Sequence, residues 1–346
     1  MDNQSVIFGI GLRNSIRVHT QSMGVSRVLV LTTPGRSNLG LEMSEKLGAG
    51  AAGIFSRAAM HTPVDITEEA LENLRSVDAD CVLSVGGGST IGLGKALALR
   101  TGIRQIVLPT TYAGSECTPI LGQTENGVKT TLTHPRVRPD IVIYDPELVA
   151  TLPIPVTVTS ALNAIAHAVE GLYAIDRTQS ASELAIQGVS AFRSALPRVI
   201  EAPDDLATRE DTQRGAWACG TVLGEVGMAL HHKLCHTLGG SFDLPHAETH
   251  AIILPHAVAF NSVAVPQLLA PVSDIFGVDD PAIGLWEFAR SLGAPLALRD
   301  LGLRETDLDR ATRLATRLPY PNPRAVNPDG IRGLLQRAWR GDAPQP

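Results

Sequence analysis

The chain has 346 residues, 44% hydrophobic and 4% aromatic, which is long enough to bury the cores of two domains. Its formal net charge of −6 argues against nucleic acid or an anionic membrane surface as a partner. The sequence has no run of about 18 apolar residues, and Met1–Gln4 lacks the basic-then-apolar order of a signal peptide. We therefore expect a cytoplasmic protein. The cysteines, Cys81, Cys117, Cys219 and Cys235, show no C-x-x-C spacing and predict reduced, packed thiols.

The N-terminal part of the chain alternates short apolar runs with amphipathic stretches. Runs typical of strands buried on both faces occur at 27–31, 52–55, 80–85 and 105–108. Helical patterns lie at 68–76 and 91–99, and two further strand-like segments follow at 129–132 and 140–144. This order predicts an α/β domain with a doubly wound, Rossmann-like parallel sheet.

The C-terminal part is predicted to be helical from Thr157 onward. We expect breaks in the helices at the following prolines: Pro197, Pro203, Pro245, Pro255 and Pro266. The prolines at 153 and 155 mark the domain boundary. The sequence thus predicts an α/β dinucleotide-binding domain over residues 1–154 and an all-α substrate domain over residues 155–346, ending in a loose tail at 341–346.

Two polar loops follow neighbouring predicted strands. The run Gly86-Gly87-Gly88-Ser89 comes after a buried strand and opens a helix, so its backbone can approach a phosphate at the helix N-terminus. Three glycines alone also fit a plain tight turn. The second loop, at 109–116, follows the next strand, and ligands of open α/β sheets bind at that edge. We therefore predict that a pyrophosphate bridges the two loops.

Histidines are concentrated in the helical part, where six of the ten lie between 231 and 256. Asn163 with His167, and His232 with His236, are spaced to share one helical face, and a third helix would add His246. Imidazoles placed in this way suit a divalent transition metal, whose hard partner would ordinarily be a carboxylate. This chain has an amide there. His231, His250 and His256 are more simply interpreted as hydrogen-bonded core residues.

These motifs together resemble the iron-containing, group III alcohol dehydrogenase superfamily. They are the glycine loop, P-T-T-x-A-G-S-E at 109–116, N-x-x-x-H-A-x-E-G at 163–171, and H-x-x-x-H with a third histidine at 246. Within the superfamily, the chain most resembles maleylacetate reductases. Its segments 60–64 and 136–139 also resemble the corresponding segments of those enzymes. Metal-dependent members carry Asp at the position of Asn163 and usually at that of Gly92, whereas maleylacetate reductases resemble this chain at both.

The resemblance implies a dehydroquinate synthase-like fold, a homodimer, and a nicotinamide cofactor. It places the pyrophosphate on Gly86, Gly87, Gly88 and Ser89, the nicotinamide and diphosphate beside Thr110, Thr111, Ser115 and Thr118, and the adenosine ribose beside Lys129. NAD-specific relatives carry an Asp at the end of the second strand, where this chain has Thr33 and no carboxylate. We therefore expect NADH to be the cofactor, with NADPH tolerated.

The resemblance also implies the chemistry. His167, His232 and His246 match three metal ligands of the metal-dependent relatives, Asn163 replaces the fourth, and His236 matches a histidine of the catalytic face. The likeness favours metal-free reduction of the C=C bond of maleylacetate, a small dicarboxylate from aromatic degradation, to 3-oxoadipate. His236 or His246 would polarise the ketone. Candidate carboxylate ligands are Tyr112, Tyr320 and Arg324, although the last two also fit a surface loop with an interdomain salt bridge.

Three other functions remain open from the sequence. The first is a metal-dependent alcohol or polyol dehydrogenase, because zinc can bind three histidines and a water. The second is a non-redox enzyme on the same fold that recycles NAD within one turnover. The third is a nucleotide sensor without catalysis.

Overall fold

The computed structural model of the protein describes residues 4–346, and only the backbone of Lys129. The chain divides into two compact units. One comprises Met1–Leu152 and Asp204–Gln213, and the other comprises Pro153–Pro203 and Arg214–Pro346. The predicted division after residue 154 lies close to the first of these boundaries. It was wrong for residues 204–213, which come from the helical part of the chain and pack in the first unit.

The first unit is built on a six-stranded parallel sheet. Its strands and those of a separate hairpin are β1 (Ser5–Phe8), β2 (Val28–Leu31), β3 (Ala51–Phe55), β4 (Cys81–Gly86), β5 (Arg104–Pro109), β6 (Ile120–Glu125), β7 (Val128–Thr133) and β8 (Ile141–Tyr144). The sheet order is β1-β8-β5-β4-β2-β3, and β6 pairs with β7 in an antiparallel hairpin. The predicted α/β fold with a parallel sheet is confirmed.

Two strands escaped the sequence-based prediction. β1 has only four residues, none of them fully buried, and its short apolar run Val6-Ile7-Phe8 was not recognised as a strand. β6 contains one fully buried residue, Leu121, among glycine and polar residues. Both strands form because a neighbour supplies hydrogen bonds: β8 pairs with β1, and β7 pairs with β6.

The inner strands are buried on both faces of the sheet. Successive residues of β4 alternate between two apolar clusters: Leu83 packs on the side of Met43 and Leu47, whereas Val82 packs on the side of Leu97. Covering both faces is what requires continuous apolar runs in these strands. Helices therefore flank the sheet on either side, and the carboxyl ends of β4 and β5 lie next to each other.

Fourteen α-helices occur among the described residues. Five precede residue 153: α1 (Ile16–Ser22), α2 (Ser37–Leu47), α3 (Val64–Ser76), α4 (Gly88–Thr101) and α5 (Glu147–Ala150). The remainder are α6 (Ile154–Leu172), α7 (Gln179–Glu201), α8 (Leu206–Glu225), α9 (Leu230–Phe242), α10 (His246–Ser262), α11 (Pro266–Phe276), α12 (Pro281–Ser291), α13 (Leu308–Thr316) and α14 (Pro328–Arg340). In the described chain, none of them is both long and apolar enough to span a membrane.

The helical unit packs around α6 and α10, which are buried along most of their lengths. Two predicted helix breaks were wrong, because Pro197 lies inside α7 and Pro255 inside α10. Each proline removes one backbone donor from its helix. Leu196 beside Pro197, and Leu254 and His256 beside Pro255, are buried, and this packing keeps the helices continuous. The other three prolines do lie at or near helix ends. All four cysteines are buried and none of them forms a disulfide, as predicted.

Candidate active site

The glycine loop lies where β4 ends and α4 begins. The N–H of Thr110 donates to Gly86 O (3.1 Å), which joins the end of β5 to the loop. A Cβ on Gly87 would lie 2.8 Å from Thr111 Oγ1, so the close approach of the two loops excludes a side chain there. A Cβ on Gly88 would meet no atom within 4 Å. The first turn of α4, which contains Ser89, therefore begins at open space, where a helix N-terminus attracts a phosphate.

The second predicted cofactor loop lies beside the first. Thr111 faces Gly87, whereas Thr110 and Thr118 are buried and Ser115 is half-buried. The segment 115–120 is held by Lys95, a fully buried residue of α4 whose Nζ donates to Ser115 O (2.5 Å) and Thr118 Oγ1 (2.9 Å). Lys95 was not identified from the sequence. The pattern that could have identified it is a single lysine within the apolar run 91–99.

The predicted adenosine-ribose end is only partly described. Thr33 follows β2 and is half-buried, and the buried Thr32 donates its hydroxyl proton to Ser56 Oγ (3.0 Å). Lys129 lies in β7 opposite Thr124, but its side chain lies outside the described part of the structure. The roles of Thr33 and Lys129 in binding the ribose stay predictions.

Three helices bring the histidines together. α6 carries Asn163 and His167, α9 carries His232 and His236, and α10 begins at His246. The His232 ring centroid lies 5.1 Å from that of His167 and 6.0 Å from that of His236. The predicted convergence of these helices is thus observed.

His231 and His250 also belong to this histidine cluster, contrary to the interpretation of each as an isolated core residue. The His250 ring centroid lies 4.2 Å from that of His246, 5.1 Å from that of His232 and 4.8 Å from that of His231. A signal was present in the sequence, since His246 and His250 have the i,i+4 spacing that identified the other pairs. His256 lies elsewhere on α10 and is a buried core residue.

The cluster has an exposed face and a buried interior. His236 and His246 are exposed, whereas Asn163, His167, His231, His232 and His250 are at most 6% exposed. Burial lowers the pKa of His167, His232 and His250 well below the usual histidine value, and that of His231 to about 4. The buried imidazoles are therefore neutral at neutral pH. Each can donate one hydrogen bond and accept another.

A buried carboxylate, Glu170 of α6, orients the cluster. It accepts from the N–H groups of Ala229 (3.1 Å) and His231 (2.7 Å) at the start of α9, and lies 2.6 Å from His232 Nδ1. Burial raises the pKa of Glu170, while these amides lower it. The carboxylate thus caps α9 and fixes the His232 ring, leaving Nε2 directed elsewhere. Glu170 belongs to the 163–171 motif but had no predicted role.

Several buried polar atoms in the cluster have no hydrogen-bond partner within the protein. They are Asn163 Oδ1, His167 Nδ1, His232 Nε2 and both ring nitrogens of His250. Unpartnered buried polar atoms cost free energy, so a ligand, water or ion that bonds to them is favoured. A divalent metal fits these donors in part, because an imidazole held by a carboxylate is a common metal ligand. The same atoms also fit a polar substrate.

The three predicted substrate ligands have different environments. Tyr112 is fully buried, and the Thr212 hydroxyl donates to its oxygen (2.8 Å), which argues against the prediction that Tyr112 binds substrate. Arg324 donates to Phe260 O (3.0 Å) and stacks on the Phe260 ring, so it anchors its loop to α10, and its binding of a substrate carboxylate stays a prediction. Tyr320 lies beside Lys233, whose Nζ is 5.7 Å from the ring centroid. Its role stays a prediction.

Comparison with known proteins covers nearly the whole chain. Residues 3–146 match the family described as iron-containing alcohol dehydrogenase, and residues 157–339 match the Fe-containing alcohol dehydrogenase family, C-terminal. A maleylacetate reductase of Rhizobium sp. (strain MTP-10005) is 54% identical over 340 residues, which are 98% of this chain and 97% of that protein. Another, from Pseudomonas sp. (strain P51), is 47% identical over 99% of this chain and 97% of that protein. The crystal structure of maleylacetate reductase from Agrobacterium tumefaciens superposes with a TM-score of 0.97 at 53% identity, covering 99% of this chain and 98% of that one.

Proposed function

The chain belongs to the iron-containing alcohol dehydrogenase family, and we propose that it is a maleylacetate reductase that uses a reduced nicotinamide dinucleotide. The observation that carries the proposal is the donor set of the histidine cluster. Asn163 supplies an uncharged amide where a metal-dependent dehydrogenase would have a carboxylate, and the imidazoles around it are neutral or exposed donors. This arrangement suits an anionic substrate whose oxygen gains charge during the reaction.

The first unit supplies the elements for the cofactor. The open space before Gly88 and the first turn of α4 fit a pyrophosphate, and Thr111 and Ser115 line the neighbouring loop. Thr33 adds no carboxylate at the predicted ribose position. A 2′-phosphate would meet no repulsion from that residue, which supports NADH as the cofactor with NADPH tolerated. When bound, the dinucleotide supplies a hydride.

The cluster supplies the groups that stabilise the product of hydride addition. Maleylacetate is an enone between two carboxylates, and a hydride added to the carbon β to the ketone leaves negative charge on the ketone oxygen. His236 and His246 are the exposed imidazoles of the cluster, and we propose that they donate hydrogen bonds to that oxygen. A proton then adds to the α carbon to give 3-oxoadipate. Glu170 and His232 hold the interior of the cluster in place.

The role of a metal follows from the charge of the donors. Asn163, His167, His232 and His246 would hold a divalent ion, which would act as a Lewis acid on the ketone oxygen. This set carries no negative charge, and Glu170 is already bonded to the amides of α9 and to His232. A divalent ion would therefore be bound more weakly than by a set that includes a carboxylate. We propose that the reduction proceeds without it.

A single assay tests the function and the metal requirement together. Freshly hydrolysed dienelactone provides maleylacetate, and the loss of NADH absorbance is followed before and after dialysis against EDTA. We expect equal rates, with one NADH consumed for each 3-oxoadipate formed. The control is Gly87→Val, whose side chain would collide with Thr111 and fill the loop. Activity lost on dialysis and restored by zinc or iron would establish a metal-dependent enzyme. Oxidation of alcohols without reduction of maleylacetate would contradict the proposed function.

A further inference from the structure

Lys95 is a buried cation in the nucleotide-binding unit to which the proposed reaction gives no role. It lies about two turns into α4, whose N-terminus follows the glycine loop, and its side chain is fully buried. The helix sits close to the sheet at this level, because a Cβ on Gly94 would lie 2.4 Å from Ser84 Oγ of β4. Lys95 therefore projects from a helix that is packed tightly against its neighbour.

The ammonium group of Lys95 is enclosed by one short segment of chain, 115–120. Its Nζ donates to the carbonyl oxygens of Ser115 (2.5 Å), Thr118 (2.8 Å) and Ile120 (2.9 Å), and to Thr118 Oγ1 (2.9 Å). The Thr118 N–H donates to Ser115 O (3.2 Å), which closes the turn around the cation. All three ammonium protons thus have acceptors in the segment that carries Ser115 and Thr118.

The same segment contains a buried opposite charge. Glu116 is fully buried and accepts the Tyr144 hydroxyl proton at Oε1 (2.8 Å). Burial lowers the pKa of Lys95 to about 7, and the negative charge of Glu116 opposes this shift. Four oxygen acceptors also favour the charged amine. Burying the Lys95 ammonium costs free energy. What its four hydrogen bonds provide in return is a fixed position for the segment 115–120.

We propose that Lys95 is a positioning residue for the cofactor, fixing the segment 115–120 at a set distance from α4 and its glycine loop. This inference rests on the proposed function only in assuming a nicotinamide dinucleotide. In the placement predicted from the sequence, this segment flanks the nicotinamide and diphosphate end of that cofactor, and the adenosine end lies beside Thr33 and Lys129. Loss of the ammonium should therefore weaken the dinucleotide much more than a ligand that lacks the nicotinamide half.

The test compares binding of NADH and of AMP to Lys95→Met, which keeps an unbranched stem of four heavy atoms but has no charge or donor. NADH is titrated by fluorescence and AMP by calorimetry, so neither measurement requires maleylacetate. We expect the Kd for NADH to rise at least about tenfold and the Kd for AMP to stay within about twofold. Amide hydrogen exchange over 115–120 should become faster. The control is Lys46→Met on α2, a lysine at the surface of the same unit, which should change neither Kd.

A second variant guards against misfolding. Lys95→Met leaves the Glu116 carboxylate buried without its cation, so the double variant Lys95→Met/Glu116→Gln removes both charges. It should show the same selective loss of NADH affinity. Equal weakening of NADH and AMP in the variants would mean that Lys95 only stabilises the unit, and unchanged NADH affinity in a folded variant would overturn the inference. Either result leaves the reductase proposal intact, because that proposal depends on the reduction of maleylacetate.

Discussion

Histidines of the cluster differ in their exposure, and His236 is one of the two that a substrate can reach from solvent. It is exposed, lies one turn after His232 on α9, and has its ring 6.0 Å from that of His232. We expect His236→Ala to lower kcat by about 10²-fold, because the loss of one donor to a developing oxyanion typically costs that much. Steady-state kinetics with maleylacetate measure it, with His19→Ala on α1 as the control. An effect confined to KM would make His236 a ligand for a substrate carboxylate.

Asn163 decides the charge of the cluster. The side chain is 3% exposed and its Oδ1 has no partner, so Asn163→Asp places a carboxylate beside His167 without a change of shape. We expect the variant to bind zinc or iron stoichiometrically by elemental analysis, since a hard anionic ligand completes the set.

The same carboxylate should repel a dianionic substrate. We expect kcat/KM for maleylacetate to fall at least about tenfold, which corresponds to about 1.4 kcal/mol. Asn126→Asp, in the exposed turn of the β6-β7 hairpin, is the matched control. Wild-type protein that already holds tight stoichiometric metal, and loses activity on chelation, would contradict the metal-free mechanism.

Residues recognised from the sequence were those with a local spacing. His167 and His232 stood out because each has a polar partner one helical turn away. Glu170 and Lys95 were missed because their partners, the first amides of α9 and the 115–120 segment, become neighbours only after folding. A motif thus marks which residues matter, whereas their bonds depend on contacts between distant segments.

At the scale of elements, α9 begins on a side chain from another helix. Its N-cap position is Ala229, which has no side chain to bond the first amides. Glu170 of α6 accepts those amides and one nitrogen of His232 with the same carboxylate. Glu170 therefore fixes both the start of α9 and the orientation of the His232 ring. No local pattern in 226–232 predicts this cap, because the capping residue lies about sixty positions earlier in the chain.

α10 carries a buried histidine outside the cluster that should make the protein sensitive to acid. His256 is 1% exposed, neither ring nitrogen has a partner, and burial lowers its pKa to about 3. The unfolded chain, with a histidine pKa of about 6.5, takes up a proton between pH 6.5 and 3 that the folded protein does not. The free energy of unfolding must therefore fall as the pH falls through this window.

His256→Leu removes that titrating group. We expect the dependence of the unfolding free energy on pH between 4 and 6 to be shallower in the variant by up to about 1.4 kcal/mol per pH unit. Urea unfolding at several pH values measures it. His19→Leu, at a partly exposed position, should change the slope less. Identical slopes for His256→Leu and the wild type would show that the buried imidazole is already solvated.

At the scale of the whole molecule, the first unit is assembled from two separate parts of the chain. Asp204–Gln213 joins Met1–Leu152, and Arg209, fully buried, donates to Ala150 O (3.3 Å). The strand and helix types and the approximate boundary near residue 153 were predictable, because periodicity and prolines are local signals. The packing of residues 204–213 against the first unit was not predictable, since an amphipathic helical pattern does not indicate which core the helix covers.

The packing of residues 204–213 in the first unit also gives Tyr112 a partner that the sequence did not reveal. Its hydroxyl lies in a polar loop beside the predicted nicotinamide, yet the Thr212 hydroxyl, one hundred residues away in sequence, donates to it at 2.8 Å. We expect Tyr112→Phe and Thr212→Val each to reduce stability. Their double-mutant cycle should give a coupling of about 0.5–1.5 kcal/mol, the usual net value of one hydrogen bond.

Kinetics separate this structural role from substrate binding. KM for maleylacetate and for NADH should stay within about twofold in Tyr112→Phe, because the hydroxyl serves to join two segments of one unit and is not exposed. Chemical denaturation of the four proteins of the cycle and steady-state assays of each are sufficient. A raised KM for maleylacetate with no coupling to Thr212 would return Tyr112 to the substrate site, and would mean that residues 204–213 do not pack against it during turnover.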